Sequence, residues 1–552
     1  MNISRRDFLK GTVAGAASAA VMGVFGISAG AEEAKADGAA AGSGYAWTQP
    51  MVPITDFVAE ENYDIVIVGA GMAGCTAAQA AAEAGASVCV VDQSNGFTAH
   101  GTDICGIGTK LQKEAGVEID KALAARLLYQ WSQSQANFAL IRTFVEKSGE
   151  ILDYYIDMAR ERGIEVNLSN QMTARTDWNE LEDRFKQFST AHKFAPIEQN
   201  NREDGKWVTA NFIEMCEQDA IANGAVFHYE TKAEQLVREG DKVTAVIVSD
   251  GEGYKKLNAA KGVILATGDI SGNEDMMKEW CPMALRSDMN AYAPAGGNMG
   301  DGIVMGMQVG AQRSYCYPAP MIHPVNMAVM APGFDTSWLT VNSDGERYCC
   351  EVGFEPIVTN ARVMTPGNVA YAIMDSHYKE HAIRQEPIKS AAFVDGLEDA
   401  VEKAVENGQY YKGETLEELA DAIGVPYEAL QTTVERYNKW CDAGVDEDFG
   451  VPERFLSSVK DGPFYACNVN AWMLVLPYGL HVDENSQVCD EEDNPIGGLF
   501  AIGNVQGDFF ANSYPVTCPG TSHGRCVTFG RLVGQALAND TVLNGYDALK
   551  NA

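Results

Sequence analysis

Residues 63–92, YDIVIVGAGMAGCTAAQAAAEAGASVCVVD, constrain the fold more than any other stretch. Tyr63 to Val68 is a short β-branched run, and Gly69-x-Gly71-x-x-Gly74 follows it directly. A helix pattern then runs to Ala84, and Ser87 to Val91 is a second strand ending at Asp92. A strand–turn–helix–strand unit of about 30 residues predicts an α/β fold with a Rossmann-like nucleotide-binding domain. The first glycine makes the tight turn, the second lets backbone approach a pyrophosphate, and the third packs helix on strand. The phosphates then face the partial positive charge of a helix N-terminus. Asp92 can bind ribose hydroxyls, and its charge disfavours a 2′-phosphate.

Two further glycine signatures lie far along the chain. Ala266-Thr267-Gly268 ends one strand pattern, and Gly503-Asn504 ends another just before the last helix. Strand-end glycines converging on one nucleotide fit a permanently held FAD better than an exchangeable NAD. The amino terminus points the same way. Residues 4–10, SRRDFLK, place Arg5-Arg6 ahead of a small-residue apolar stretch from Thr12 to Ser28, and Ala29-Gly30-Ala31 offers a cleavage site. Such a twin-arginine signal exports folded chains, as a chain loaded with FAD in the cytoplasm must be. The expected location is the periplasm or the extracytoplasmic face.

Composition narrows the partners. The formal net charge is −35, and the leader carries Arg5, Arg6 and Lys10 against Asp7, so its removal leaves −37. Such a surface argues against nucleic acid or anionic lipid and suits a basic protein partner. No later segment offers 18 continuous apolar residues, so no membrane span is expected in the mature chain. The 13 cysteines contain no C-x-x-C, which leaves no covalent haem motif and predicts reduced, buried thiols. No metal site is expected, although a scattered-ligand iron–sulfur cluster is not excluded.

Residues 32–48 are Ala/Gly-rich and read as a spacer, with order expected near Ile54. Helical periodicity dominates from Asp120 to Arg162. GAVFHYE, DKVTAVIVSD and KGVILATG, between 224 and 268, read as a β-meander that rejoins the central sheet at Gly262 to Ala266. From about 325 to 470 the texture changes. ETLEELADAIGVPYEALQTTVERYNKWCDAG is helical there, opening close to a capping box at Thr415.

These motifs together give a resemblance. VIVGAGMAG, ILATGDISGN, Gly300-Asp301-Gly302, Ile322-His323-Pro324, VNSDGERY, PFYA, IGGLFAIGN and TFGRLVG run from about Tyr63 to Ala538. The chain resembles the soluble fumarate reductase, succinate dehydrogenase and 3-ketosteroid dehydrogenase superfamily of flavoproteins. The resemblance implies a Rossmann-like FAD domain with an inserted α+β capping domain. The divisions are then a signal at 1–31, a linker at 32–53, FAD domain at 54–324 and 471–552, and cap at 325–470. It implies hydride transfer between flavin and a carbon–carbon bond next to an activating group. It also implies cofactor contacts from His100, Gly101, Thr102, Ala233, Asp301, Gly520, Ser522 and His523. Noncovalent FAD is expected, with covalent attachment through His100 left open.

The chain departs from the fumarate pattern. After Arg347-Tyr348-Cys349-Cys350-Glu351, the position of the family's proton-delivering arginine falls on Glu355. The relay Glu and Arg fall near Ala331 and Phe334, and the substrate-binding His-Thr pair aligns with Val475-Leu476. The final A-N-R-L-G-G-N clamp is replaced by ANSYPVTCPGTSHG. Arginines hold dicarboxylates by bidentate pairing, so the chain is not expected to reduce fumarate. Phe334, Trp472, Tyr478, Phe509, Phe510 and Tyr514 are expected to line an apolar site for an uncharged or aromatic, enone-like acceptor. Tyr514-Pro515, followed by Pro519-Gly520, resembles the Tyr-Pro-Gly element of 3-ketosteroid dehydrogenases, where Tyr polarises a carbonyl. His323 matches a family active-site histidine, and Glu351 is expected to support the fold by pairing with Arg347.

An exported flavin is cut off from NADH, so electrons are expected from a separate protein such as a membrane-associated multihaem cytochrome. Two alternatives stand beside the reductase. One is a dehydrogenase that introduces a double bond into a steroid-like ketone, and the other a flavin-loaded binding protein.

Overall fold

A computed structural model describes residues 45–169, 186–291, 296–324, 337–353, 355–385, 391–541 and 543. Tyr45 and Trp47 stack at 4.3 Å, and Trp47 lies 5.2 Å from Trp280, so a turn of 3₁₀ helix at Ala46–Thr48 docks before Ile54. Two aromatic rings give that end of the spacer apolar area to bury.

The elements of this part that bear on the site include β1 (Ala59–Val68), α1 (Met72–Glu83), β2 (Val88–Val91), α2 (Phe138–Glu161), α3 (Thr209–Ala222) and β3 (Val226–His228). The meander follows as β4 (Lys232–Glu239), β5 (Lys242–Ser249) and β6 (Tyr254–Leu265), and then come β7 (Met289–Asn290), α4 (Asp301–Gln308) and β8 (Met321–His323). The meander is antiparallel until β6 joins β1 in parallel, pairing Ile65 with Gly262 and Val68 with Leu265.

The inserted unit holds β9 (Leu339–Asn342), α5 (Glu355–Val363), β10 (Ala370–Met374), β11 (Tyr410–Gly413), α6 (Leu416–Ile423), α7 (Tyr427–Ala443) and β12 (Phe464–Asn468). Its four strands form an antiparallel sheet of order β9-β10-β12-β11. Period-two alternation builds a core on each face. Ala370, Ala372 and Met374 pack with Trp338 and Leu397, while Ile373 packs with Leu339, Leu419 and Leu430. Thr415 caps α6 with Glu418 in a reciprocal box, and Gly424 ends it in the left-handed region ahead of Pro426.

The chain returns as β13 (Trp472–Val475), β14 (Gln487–Cys489), β15 (Pro495–Ala501) and α8 (Thr521–Ala538). The parallel strands order as β3-β2-β1-β6-β15. Ile65 to Val68 are buried, as in a parallel strand covered on both faces. Register makes Val68, Val91, Leu265 and Ala501 end level. The turns after these ends therefore share one crevice at the switch point of the sheet. The inserted unit attaches close by: Arg362 of α5 grips both oxygens of Asp288, at 2.9 and 3.0 Å, just before β7.

Candidate active site

The level strand ends open onto a cavity of about 490 Å³. At its nucleotide end Gly69 takes φ +109°, and a Cβ there would lie 2.4 Å from the Ala266 carbonyl oxygen. A Cβ on Gly74 would lie 1.8 Å from the Gly69 carbonyl oxygen, so the third glycine lets helix and strand touch backbone to backbone. Gly71 caps α1 with extended backbone and leaves the first-turn amides without a side-chain cap. Only Thr98 Oγ1, at 3.7 Å, would meet a Cβ there. Asp92 accepts from the Ala70 amide at 2.7 Å and the Ser94 amide at 2.8 Å, which fixes its carboxylate at the end of β2. Open backbone at Gly71, an uncapped helix N-terminus and a fixed carboxylate suit the pyrophosphate and ribose of FAD. Ala233, Thr267, Gly268 and Asp301 line the same cavity.

Farther along, His100, Gly101 and Thr102 form one wall. Thr209 of α3 holds that loop, donating to the carbonyls of His100 at 2.9 Å and Gly101 at 3.1 Å. The N-terminus of α8 forms the other wall through Gly520, Ser522 and His523, with Gly503 and Asn504 beside it. His523 Nδ1 donates to the Asp103 carbonyl at 2.8 Å. Burial pushes His523 down, and it pushes His100 down to about 4, helped by the neighbouring His523. Both rings are therefore neutral at pH 7. Burial also pushes the Asp103 carboxyl up, against a bond from Thr102 Oγ1 at 2.7 Å.

The far end is apolar. Met321 of β8, Leu474 and Val475 of β13, Pro515 and Val516 line it, with His323, Tyr514 and Gln187, which donates to the Val516 carbonyl at 3.0 Å, as polar groups. His323 is positioned by the β8–β13 ladder, opposite Trp472. The Tyr514 ring is buried, and its hydroxyl accepts the Ser522 amide at 3.1 Å. That leaves the phenolic proton to donate elsewhere. Burial raises the Tyr514 pKa, so the group stays a neutral donor. Among the described residues no arginine lines the cavity, and Lys232 stands at the nucleotide end beside Thr231 and Ala233.

The model of the FAD binding domain family matches residues 64–517, most of the chain. The chain belongs to this family. It is an FAD-dependent oxidoreductase of the fumarate reductase and 3-ketosteroid dehydrogenase superfamily. Residues 2–22 match the twin-arginine translocation signal, so this FAD-binding oxidoreductase is exported by that pathway. It is 24% identical to the vinyl phenol reductase of Lactiplantibacillus plantarum, over 87% of this chain and 97% of that one. It is 25% identical to the urocanate reductase of Eggerthella lenta, over 86% of this chain and 74% of that one. The crystal structure of a 3-ketosteroid-Δ4-(5α)-dehydrogenase from Rhodococcus jostii shares its fold, with a TM-score of 0.69 and 24% identity, over 88% of this chain and 98% of that one.

Gly74 packs α1 on the end of β1, and the other residues expected to contact cofactor line the cavity, as do His323 and Tyr514. Glu355 opens α5, whose Thr359 donates to the Ile322 carbonyl at 2.6 Å, next to His323. The Glu355 side chain, like Ala331 and Phe334, falls outside what is described. One expectation needs correction: the expected aromatic lining is mostly core. Phe509 packs edge-on against Phe144 at 5.6 Å, Phe510 lies against Phe509, and Tyr478 meets Trp280. Large rings on the segments that connect the return strands gain more by filling the main core than by facing a cleft. The apolar surface at the far end is mostly aliphatic and proline-rich, and Tyr514 and Trp207 are the Phe, Tyr or Trp side chains that line the cavity among the described residues.

Gln187, Asn200, Trp207 and Asn298 also line the cavity. No motif marks them in the sequence, because they come from irregular segments that fold back over the crevice. Asp103 could have been found, since it adjoins His100-Gly101-Thr102.

Proposed function

We propose that this oxidoreductase reduces a carbon–carbon double bond conjugated to an uncharged carbonyl or aromatic group. The observation that carries this reading is the far end of the cavity: an aliphatic pocket with a buried, neutral Tyr514 donor and, among the described residues, no arginine. A dicarboxylate would lose its hydration there with no cation to pair it. Bound in the cavity, FAD supplies hydride equivalents. Tyr514 donates a hydrogen bond to the acceptor oxygen, drawing charge away from the bond under attack. Met321, Leu474 and Val475 hold the apolar body and exclude water. His323 orients the polar edge, and Glu355, on the helix beside it, stands where the superfamily delivers its proton. One relative is named for vinyl phenol, an uncharged molecule whose double bond is conjugated to a ring, which agrees with this acceptor class; urocanate, for which another is named, shares the ring-conjugated double bond but carries a carboxylate. Electrons come from a separate redox protein, a membrane-associated multihaem cytochrome that the acidic surface steers.

Tyr514-Pro515 ahead of Gly520 also favours a second reading, in which the enzyme desaturates a cyclic ketone. The test is single-turnover kinetics under anoxia. A Tyr514→Phe variant should oxidise reduced flavin with a conjugated ketone about 10²-fold more slowly than wild type, while its reoxidation by ferricyanide is unchanged. An unchanged rate with every unsaturated ketone would remove Tyr514 from the site. Flavin reduction by a saturated ketone, with no reoxidation by enones, would reverse the direction.

A further inference from the structure

Arg525 sits in the second turn of α8, fully buried. Its Nη2 donates to Asn504 Oδ1 at 2.8 Å, and Nη1 reaches the Gln506 carbonyl at 3.4 Å. The guanidinium lies over Phe510, 4.6 Å from the ring centre, and Nε has no hydrogen-bond partner. Among the described residues no carboxylate forms an ion pair with it. Asp269, also fully buried, makes no ion pair with it but stands across Asn504, whose Nδ2 donates to Asp269 Oδ2 at 3.3 Å, and favours its charge from that distance. Burial disfavours the charged form of Asp269 as well.

A buried guanidinium keeps its charge, and an uncompensated charge in the interior is costly. Folds retain such a group where something else gains from its field. Asn504, Ser522 and Cys526, which surround Arg525, all line the cavity, whereas Arg525 stands behind them. Ser522 Oγ bonds the same Asn504 Oδ1 at 3.3 Å, so one amide couples the cation to the cavity wall. The α8 N-terminus adds its partial positive charge on the same side. Two-electron reduction with uptake of one proton adds one negative charge to the isoalloxazine ring. The low dielectric of this wall leaves little to screen a nearby positive charge.

We propose that Arg525 is a positioning residue that acts through Asn504 and its own buried charge to raise the midpoint potential of the bound FAD. This assignment does not depend on which acceptor is reduced. The experiment is spectroelectrochemical titration of the FAD-loaded protein. Arg525→Gln, which can keep the bond to Asn504 without the charge, should shift the equilibrium against reduced flavin about tenfold, roughly 30 mV downward for a two-electron couple. Arg525→Met, which keeps contact with Phe510, reads the same quantity should the glutamine variant fail to retain FAD. Arg525→Lys, titrated at a pH low enough to keep the buried ammonium charged, should stay near wild type. A wild-type potential in either neutral variant, or a lysine variant that falls as far as they do, would overturn the proposal.

Discussion

At the scale of single residues, two glycines of one motif do different work. Gly74 has no room for a methyl group, because the Gly69 carbonyl would lie 1.8 Å from it, whereas Gly71 faces the cavity with only a 3.7 Å contact. Gly74→Ala should therefore lower the melting temperature of the apoprotein by several degrees. Gly71→Ala should leave that temperature within a degree or two and weaken FAD retention, measured as the flavin-to-protein absorbance ratio after gel filtration. The reverse pattern would mean that the pyrophosphate lies elsewhere. A second prediction concerns His192, fully buried between Thr109 Oγ1 at 2.8 Å and the Thr190 carbonyl at 2.9 Å, with its pKa pushed down to about 4 by burial. The unfolded chain takes up this proton near 6.5 and the folded chain only near 4, so stability is intact above pH 6.5 and falls as pH drops toward 4. This one group accounts for a loss on the order of 3 kcal/mol at pH 4. Melting curves between pH 7.5 and 4 should show the decline, with a shallower slope in His192→Gln. A flat profile would contradict the neutral, buried ring.

At the scale of elements, the inserted unit depends on one buried cation. Arg347 pairs with both oxygens of Glu351, at 2.7 and 2.8 Å, and of Asp446, at 2.8 and 2.9 Å, between the rings of Tyr437 and Phe449. Arg347→Met strands two buried carboxylates and should cost this unit about 3–5 kcal/mol. Hydrogen exchange should then quicken across 339–468 while β1 and α1 keep their protection. Uniform quickening would mean that the inserted unit has no stability of its own. The same elements show what a sequence makes legible. The Thr415 capping box, the Arg347–Glu351 pair and the return of the meander at Gly262 are local patterns, with their cause within a few residues. The strand Lys232–Glu239 was not: its exposed, charged face hides the alternation. Phe509, Phe510 and Tyr478 were misread because periodicity tells that a ring is buried and not whether it faces core or cleft. The crevice glycines were legible because each marks a strand end, whereas Gln187, Asn200 and Trp207 depend on how long irregular segments fold back.

At the scale of the whole molecule, fold, cofactor and address form one account. Four level strand ends and the start of α8 enclose the cavity that we assign to FAD, the twin-arginine signal directs export, for which we propose that FAD is loaded first, and no described helix is long and apolar enough to cross a membrane. Arg5→Lys with Arg6→Lys should retain the FAD-loaded chain in the cytoplasm, scored by fractionation and flavin fluorescence. Loss of flavin from the retained chain would mean that loading follows export. The central claim is an aliphatic acceptor site with a neutral tyrosine donor and, among the described residues, no arginine. It is tested most directly by reducing the purified enzyme with dithionite under anoxia and following the flavin band near ~450 nm as acceptors are mixed in. A vinyl phenol, a cinnamate ester or a cyclic enone should reoxidise the flavin at least about 10²-fold faster than fumarate. Fumarate reoxidising it as fast as the best of them would contradict the account.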